Sequence, residues 1–125
     1  MDQSGPSSDE RTLAAIGHGL TFLEGGIIGP LIVYLLKKDD SAFVAFHALQ
    51  SLYFGLGFLM LTLVCVAGIF FTFGLGVFLM VPLLLVFSGL YVVFEILATV
   101  KAYNGEWYEL PIVGAMARAS VETTR

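Results

Sequence analysis

The chain reads as an all-α, polytopic membrane bundle of about three transmembrane helices, the first of them broken or kinked. Three observations predict this. Hydrophobic residues make up 58 % of the 125 positions and the mean hydropathy is +0.89, more than a soluble domain of this size can cover with polar surface. From Ser41 to Phe94 there is no Asp, Glu, Lys or Arg; as helix that run measures roughly 80 Å, enough to cross the hydrocarbon core twice and turn. Glu24, Gly25, Gly26, Gly29 and Pro30 interrupt the apolar stretch that precedes it, so that stretch cannot be one regular helix.

Taken in order, residues 1–10 are polar, acidic and rich in Ser, Gly and Pro, too poor in apolar area to order themselves, and are expected to be a flexible tail in which Asp9 caps the following helix. Residues 11–110 form the transmembrane domain, with helices at about 12–36, 42–71 and 77–103. Lys37-Lys38-Asp39-Asp40 is a charged turn, Phe73-Gly74-Leu75-Gly76 the turn between the second and third helices, and Asn104-Gly105 a helix stop. Pro82 falls early in the third helix, where neighbouring helices can satisfy the freed carbonyl. Residues 111–125, weakly amphipathic, are expected to be a short interfacial or flexible tail. Strand pairs fit less well, since the segments are long and lack strict alternation.

With three crossings, Lys37, Lys38, Lys101, Arg118 and Arg125 share one side and Arg11 lies on the other. The excess of basic residues puts the Lys37-Lys38 turn and the C-terminus on the cytoplasmic side of a prokaryotic inner membrane. A re-entrant hairpin in the first segment would bring all six together. Its halves, roughly 15–20 Å each, are too short to cross separately, which favours one kinked span.

Helical spacing sorts polar groups onto faces. Gly17, His18, Thr21, Glu24, Gly25 and Gly29 fall on one side of the first helix, and His47, Gln50, Ser51, Gly55 and Thr62 on one side of the second. Ser88, Tyr91, Glu95, Ala98, Thr99 and Ala102 fall on one side of the third. His18, Glu24, His47, Gln50 and Glu95 are the intramembrane polar candidates, because polar groups at membrane depth must face the bundle interior, an oligomer interface or water. Gly17, Thr21, Gly25, Gly29, Ser51 and Gly55 are helix-packing positions, where small residues let backbones approach. Lys37, Lys38, Lys101, Tyr103, Trp107 and Tyr108 are interface anchors. Two readings of the polar stripes stay open: a titratable path for protons or small cations, or hydrogen-bonded glue between helices.

No metal-ligand spacing, nucleophile elbow or phosphate loop occurs, so no metal, cofactor or enzymatic activity is expected. The lone Cys65 excludes an internal disulfide and reads as a packing residue. The net charge of -4 and the lack of a basic cluster argue against nucleic acid. The expected partners are the lipid bilayer and either further copies of the chain or other membrane proteins.

Three clusters carry a resemblance: Leu13 to His18; Gly29 through Asp39 to Phe46-His47-Ala48-Leu49-Gln50; and Lys101 through Trp107 to Pro111. Together they resemble the small prokaryotic membrane family catalogued as domain of unknown function 4870, which is similar to the channel-type subunit of the chloroplast inner-envelope (Tic) protein translocon. Some magnetosome-membrane proteins that influence crystal growth are similar as well. The resemblance highlights His18, Pro30, the Lys37–Asp39 turn, His47, Gln50, Asn104, Gly105 and Pro111, and transfers no catalytic role. Glu24 departs from the family pattern. The leading expectation is a non-enzymatic bundle that self-associates or binds membrane proteins, serving membrane organisation or protein insertion and translocation; the alternative is a channel or transporter subunit that uses the intramembrane His and Glu residues.

Overall fold

The computed structural model describes residues 5–24 and 26–123, with the side chain of Glu24 excluded. Gly25, Arg125 and the first four residues, about which expectations were stated above, therefore lie outside the described residues. The described chain is helical and contains no strand: α1 is Ser8–Gly19, α2 Thr21–Glu24, α3 Ile28–Lys37, α4 Ala42–Phe71, α5 Val77–Tyr103 and α6 Val113–Thr123.

Helix α1 starts at Ser8, inside the stretch expected to be a flexible tail. The cause is a capping box: the Glu10 amide donates to Ser7 Oγ at 3.2 Å while the Ser7 amide donates to Glu10 Oε2 at 2.8 Å, satisfying two amides at the helix end. Asp9 is therefore a first-turn residue, well placed against the helix dipole, and Ser7 is the cap.

The first apolar segment is broken, as its composition requires, but the break is a reversal and not a kink. Ala14 packs with Phe43, and Gly17 faces Ala48, so α1 runs alongside α4 in the same direction. Gly26, at φ +94°, abuts Gly55 further along α4, and α3 then returns to place Val33 against Val44 and Ala48. Ser41, at the end of this excursion, donates its hydroxyl to Glu10 near its beginning. In place of the single kinked helix expected, the segment is a short helical hairpin packed on α4. Halves too short to cross do not need to cross, because α4 supplies the surface they bury. Pro30 lies in the first turn of α3, where its missing N–H removes no helical bond.

Among the described residues two helices, α4 and α5, are long and apolar enough to span a membrane, at roughly 45 and 40 Å. They form an antiparallel hairpin closed by Thr72–Gly76, in which Phe73 (φ 53°) and Gly74 (φ 90°) adopt left-handed conformations. Thr72 Oγ1 donates to the Gly68 carbonyl and accepts from the Gly76 amide, both at 2.7 Å, so the turn satisfies polar groups internally.

After Tyr103 the chain descends again along α4 as an irregular strap and turns at Ile112 (φ 67°). Helix α6 then climbs back, with Ala117 and Val121 in a cluster with Ala45, Phe46, Leu49 and Leu52. The C-terminal stretch, expected to be interfacial or flexible, is a packed helix. Residues 43–52 of α4 are consequently buried on every side, whereas beyond Gly55 the only buried residue of α4 is Cys65, which matches its packing role.

Candidate functional site

Four of the five intramembrane polar candidates meet in the wrapped half of the bundle. His18 comes from α1, His47 and Gln50 from α4, and Glu95 from α5; all four are fully buried. The helix periods explain why. His47, Gln50 and Ser51 share a face at i, i+3 and i+4, and Glu95 leads the buried row Glu95, Ala98, Ala102 of α5. The small Ala98 and Ala102 let α1 approach α5 closely enough to bring His18 to the carboxyl.

Contacts run in a line across four segments. Ser51 Oγ donates to Glu95 Oε1 at 3.3 Å; Glu95 Oε2 lies 2.8 Å from His18 Nδ1; His18 Nε2 lies 3.1 Å from His47 Nδ1; and His47 Nε2 donates to the Glu106 carbonyl at 2.9 Å. The rings of Phe43 and Phe46 pack edge-on against His47 at 4.6 and 5.0 Å. Gln50 holds the strap separately: its Nε2 donates to the Tyr108 carbonyl at 3.0 Å, and its Oε1 accepts from the Leu110 amide at 2.8 Å. The fifth candidate, Glu24, has its side chain outside the described residues.

The packing positions are used inside the chain. A Cβ on Gly17 would touch Ala48, one on Gly55 would collide with the Gly26 carbonyl, and Gly29 and Thr21 are buried. Ser51, expected to pack, also donates a hydrogen bond. Gly25 is outside the described residues.

The anchors gather at one end, the head. Lys101 pairs with Glu106 at 3.0 Å and Lys37 with Asp40 at 3.7 Å; Lys38 and Tyr103 are exposed, and Tyr108 is half-buried. Trp107 packs on Phe43 and Phe46 beneath the Arg118 guanidinium, which also pairs with Glu109. At this end Glu10, which accepts from the Ser41 hydroxyl and the Ser7 amide, is held below its ordinary carboxyl range by those bonds. Arg118 and the carbonyls of Glu106 and Tyr108 carry no signal in the helix spacing. The carbonyls are backbone atoms with no residue signature, and Arg118 stands out in the sequence only as one basic charge.

The arrangement offers hydrogen bonding and proton placement. Among the described residues no group of three or more His, Cys, Asp or Glu side chains is placed to hold a metal ion, and both nitrogens of His18 are already engaged.

Comparison with known proteins agrees with a membrane setting. The profile of the family described as "Magnetosome magnetite crystal formation protein family" matches residues 9–117. A "UPF0132 membrane protein" of Archaeoglobus fulgidus is 35 % identical over 107 residues, covering 85 % of this chain and 93 % of the relative. No solved structure matches.

Proposed function

Since the chain belongs to the magnetosome magnetite crystal formation protein family, we propose that it is a non-enzymatic element of membrane organisation that loads the two leaflets unequally. The observation that carries this is the contrast along α4. Residues 43–52 are buried on all sides, while Leu59, Leu63, Val66 and Phe70 on α4, and Phe78, Leu85 and Leu90 on α5, are exposed. At the head α1, α3 and α6 pack around α4 and α1 also covers one face of α5; toward the tip two helices stand alone. Three additional helices amount to an excess cross-section on the order of 250 Å² on one side. The outward residues of α3, among them Leu31, Ile32, Leu35 and Leu36, are apolar, so the part of this excess that α3 contributes lies within the hydrocarbon.

Arg11, Lys37, Lys38, Lys101 and Arg118 belong to the head, which the excess of basic residues assigns to the cytoplasmic face of the membrane. Further copies or other membrane proteins would associate through the bare half of the hairpin, and a role in protein insertion or translocation would use the same faces. The test is reconstitution from one side into preformed vesicles, with diameters measured by cryo-electron microscopy. A shift to smaller diameters with rising protein-to-lipid ratio is expected. Unchanged diameters at the highest ratio reached, with insertion verified, would rule out the unequal-loading reading. Single cysteines at Ser7 and Asp39 in a Cys65→Ser background should label from the same side.

A further inference from the structure

The line from Glu106 to Ser51 has a direction that chemistry imposes. A carbonyl oxygen only accepts, so the 2.9 Å contact requires hydrogen on His47 Nε2. The 3.1 Å gap between His47 Nδ1 and His18 Nε2 then needs one hydrogen, and the 2.8 Å gap between His18 Nδ1 and Glu95 Oε2 needs another. Three bonds therefore hold three protons. Counting either as a neutral carboxylic acid with two neutral imidazoles or as a carboxylate with one imidazolium, the set has no net charge, as suits full burial.

Remove one proton and two remain for three bonds. If Glu95, as a carboxylate, takes its hydrogen from His18 Nδ1, then His18 Nε2 must accept from His47 Nδ1. His47 Nε2 is left bare against the Glu106 carbonyl. Two other arrangements exist: a carboxylate facing a bare His18 Nδ1 sets a buried charge against a lone pair and costs the most, and two bare nitrogens facing each other between His18 and His47 would force α1 away from α4. That interface is backed by close packing, with the position of a Gly17 Cβ only 3.6 Å from Ala48 Cα. The strap is exposed at Glu106 itself, and the bonds by which Gln50 holds it lie further on, at Tyr108 and Leu110, so the Glu106 carbonyl yields first.

The other charged and titratable groups around the line are accounted for. On α5 Lys101 is paired with the Glu106 carboxylate, and on the strap and α6 Glu109 is paired with Arg118. Thr21 and Thr99 donate to the carbonyls of His18 and Glu95 within their own segments. On α1 Arg11 lies toward the head, against Gly105. On α4 Gln50 is committed to the strap backbone. Helix α3 contributes no charged group before Lys37.

We infer that His18, His47 and Glu95 together form a binding site for one shared proton, and that its occupancy docks the 104–110 strap on α4 through the Glu106 carbonyl. The site stores a proton in place; the inference does not depend on the unequal-loading reading above.

The test is hydrogen exchange of the strap amides in the full chain in detergent, from about pH 6 to 10, corrected for the intrinsic pH dependence. In the wild type, protection should be constant at low pH and then fall about tenfold per pH unit once the proton leaves, the slope of a one-proton linkage. In Glu95→Gln the amide donates to His18 Nδ1 and cannot titrate, so protection should stay flat. A flat wild-type profile, or the same slope in both proteins, overturns the inference. Nitrogen-15 spectra of the wild-type histidines give a readout independent of the variant's folding. His47 Nε2 should carry hydrogen below the transition and lose it above, and an unchanged His47 across the range would overturn the assignment.

Discussion

Replacing Gln50 with Leu removes the two bonds by which α4 grips the strap while nearly preserving volume. Leu110 is buried, so its amide, which donates to Gln50 Oε1 at 2.8 Å, would lose its partner with no water to replace it, at a cost of about 1–3 kcal/mol. The Tyr108 carbonyl, only partly buried, would add about 1 kcal/mol. A loss of roughly 2–4 kcal/mol corresponds to at least about a 30-fold rise in strap opening. Site-resolved hydrogen exchange reads this directly, as reduced protection of the Leu110 amide relative to amides in α5. The comparison variant is Lys101→Ala, which removes only a half-exposed ion pair with Glu106 and should alter protection less than about fivefold. Leu110 protection in Gln50→Leu within about threefold of the wild type would refute the assignment of Gln50 as the strap's main holding point.

Two more outcomes follow from the geometry. Gly55→Ala would bring a Cβ to 2.2 Å from the Gly26 carbonyl oxygen, forcing backbone apart at the hairpin reversal; a loss of about 1–3 kcal/mol is expected in thermal unfolding in detergent. Gly57→Ala, with nothing within 4 Å, should be neutral or slightly stabilising through helix propensity, and equal losses in the two would refute the close approach. For Glu10 the folded state lowers the carboxyl from its ordinary value of 4.5 through bonds from Ser41 and Ser7. Its contribution is therefore complete above about pH 4.5 and is lost as pH falls through the lowered folded value. Melting followed between pH 6 and 3 should show a loss that Glu10→Gln abolishes; the same loss in that variant would place its origin elsewhere.

How far the sequence discloses this molecule differs from element to element. The hairpin of α4 and α5 is legible because a charge-free run of this length has one stable solution in lipid. The reversal at Gly26 is harder to see, since a kink and a hairpin share the same breakers, and what decides between them is Gly55, 29 residues away, leaving room for the returning backbone. The Ser7-x-x-Glu10 capping pattern is visible, yet composition alone argues for a loose tail. His18, His47 and Glu95 are legible as costly polar groups on helix faces, and helix periodicity is sufficient to aim them inward. Their order is not, because the line terminates on a backbone carbonyl in a strap that has no periodicity to reveal it. Likewise the helicity of α6 depends on Phe46 and Leu49 offering it a face, a tertiary effect that overrides its weak local pattern.

The Thr72–Gly76 turn bears on how the protein is made. It contains no charged side chain, it exposes Phe73 almost entirely, and the Thr72 hydroxyl serves both a carbonyl and an amide that would otherwise need water. Carrying this tip through the hydrocarbon moves no ionised group across it, so the electrostatic barrier that ordinarily retards a translocated loop is missing.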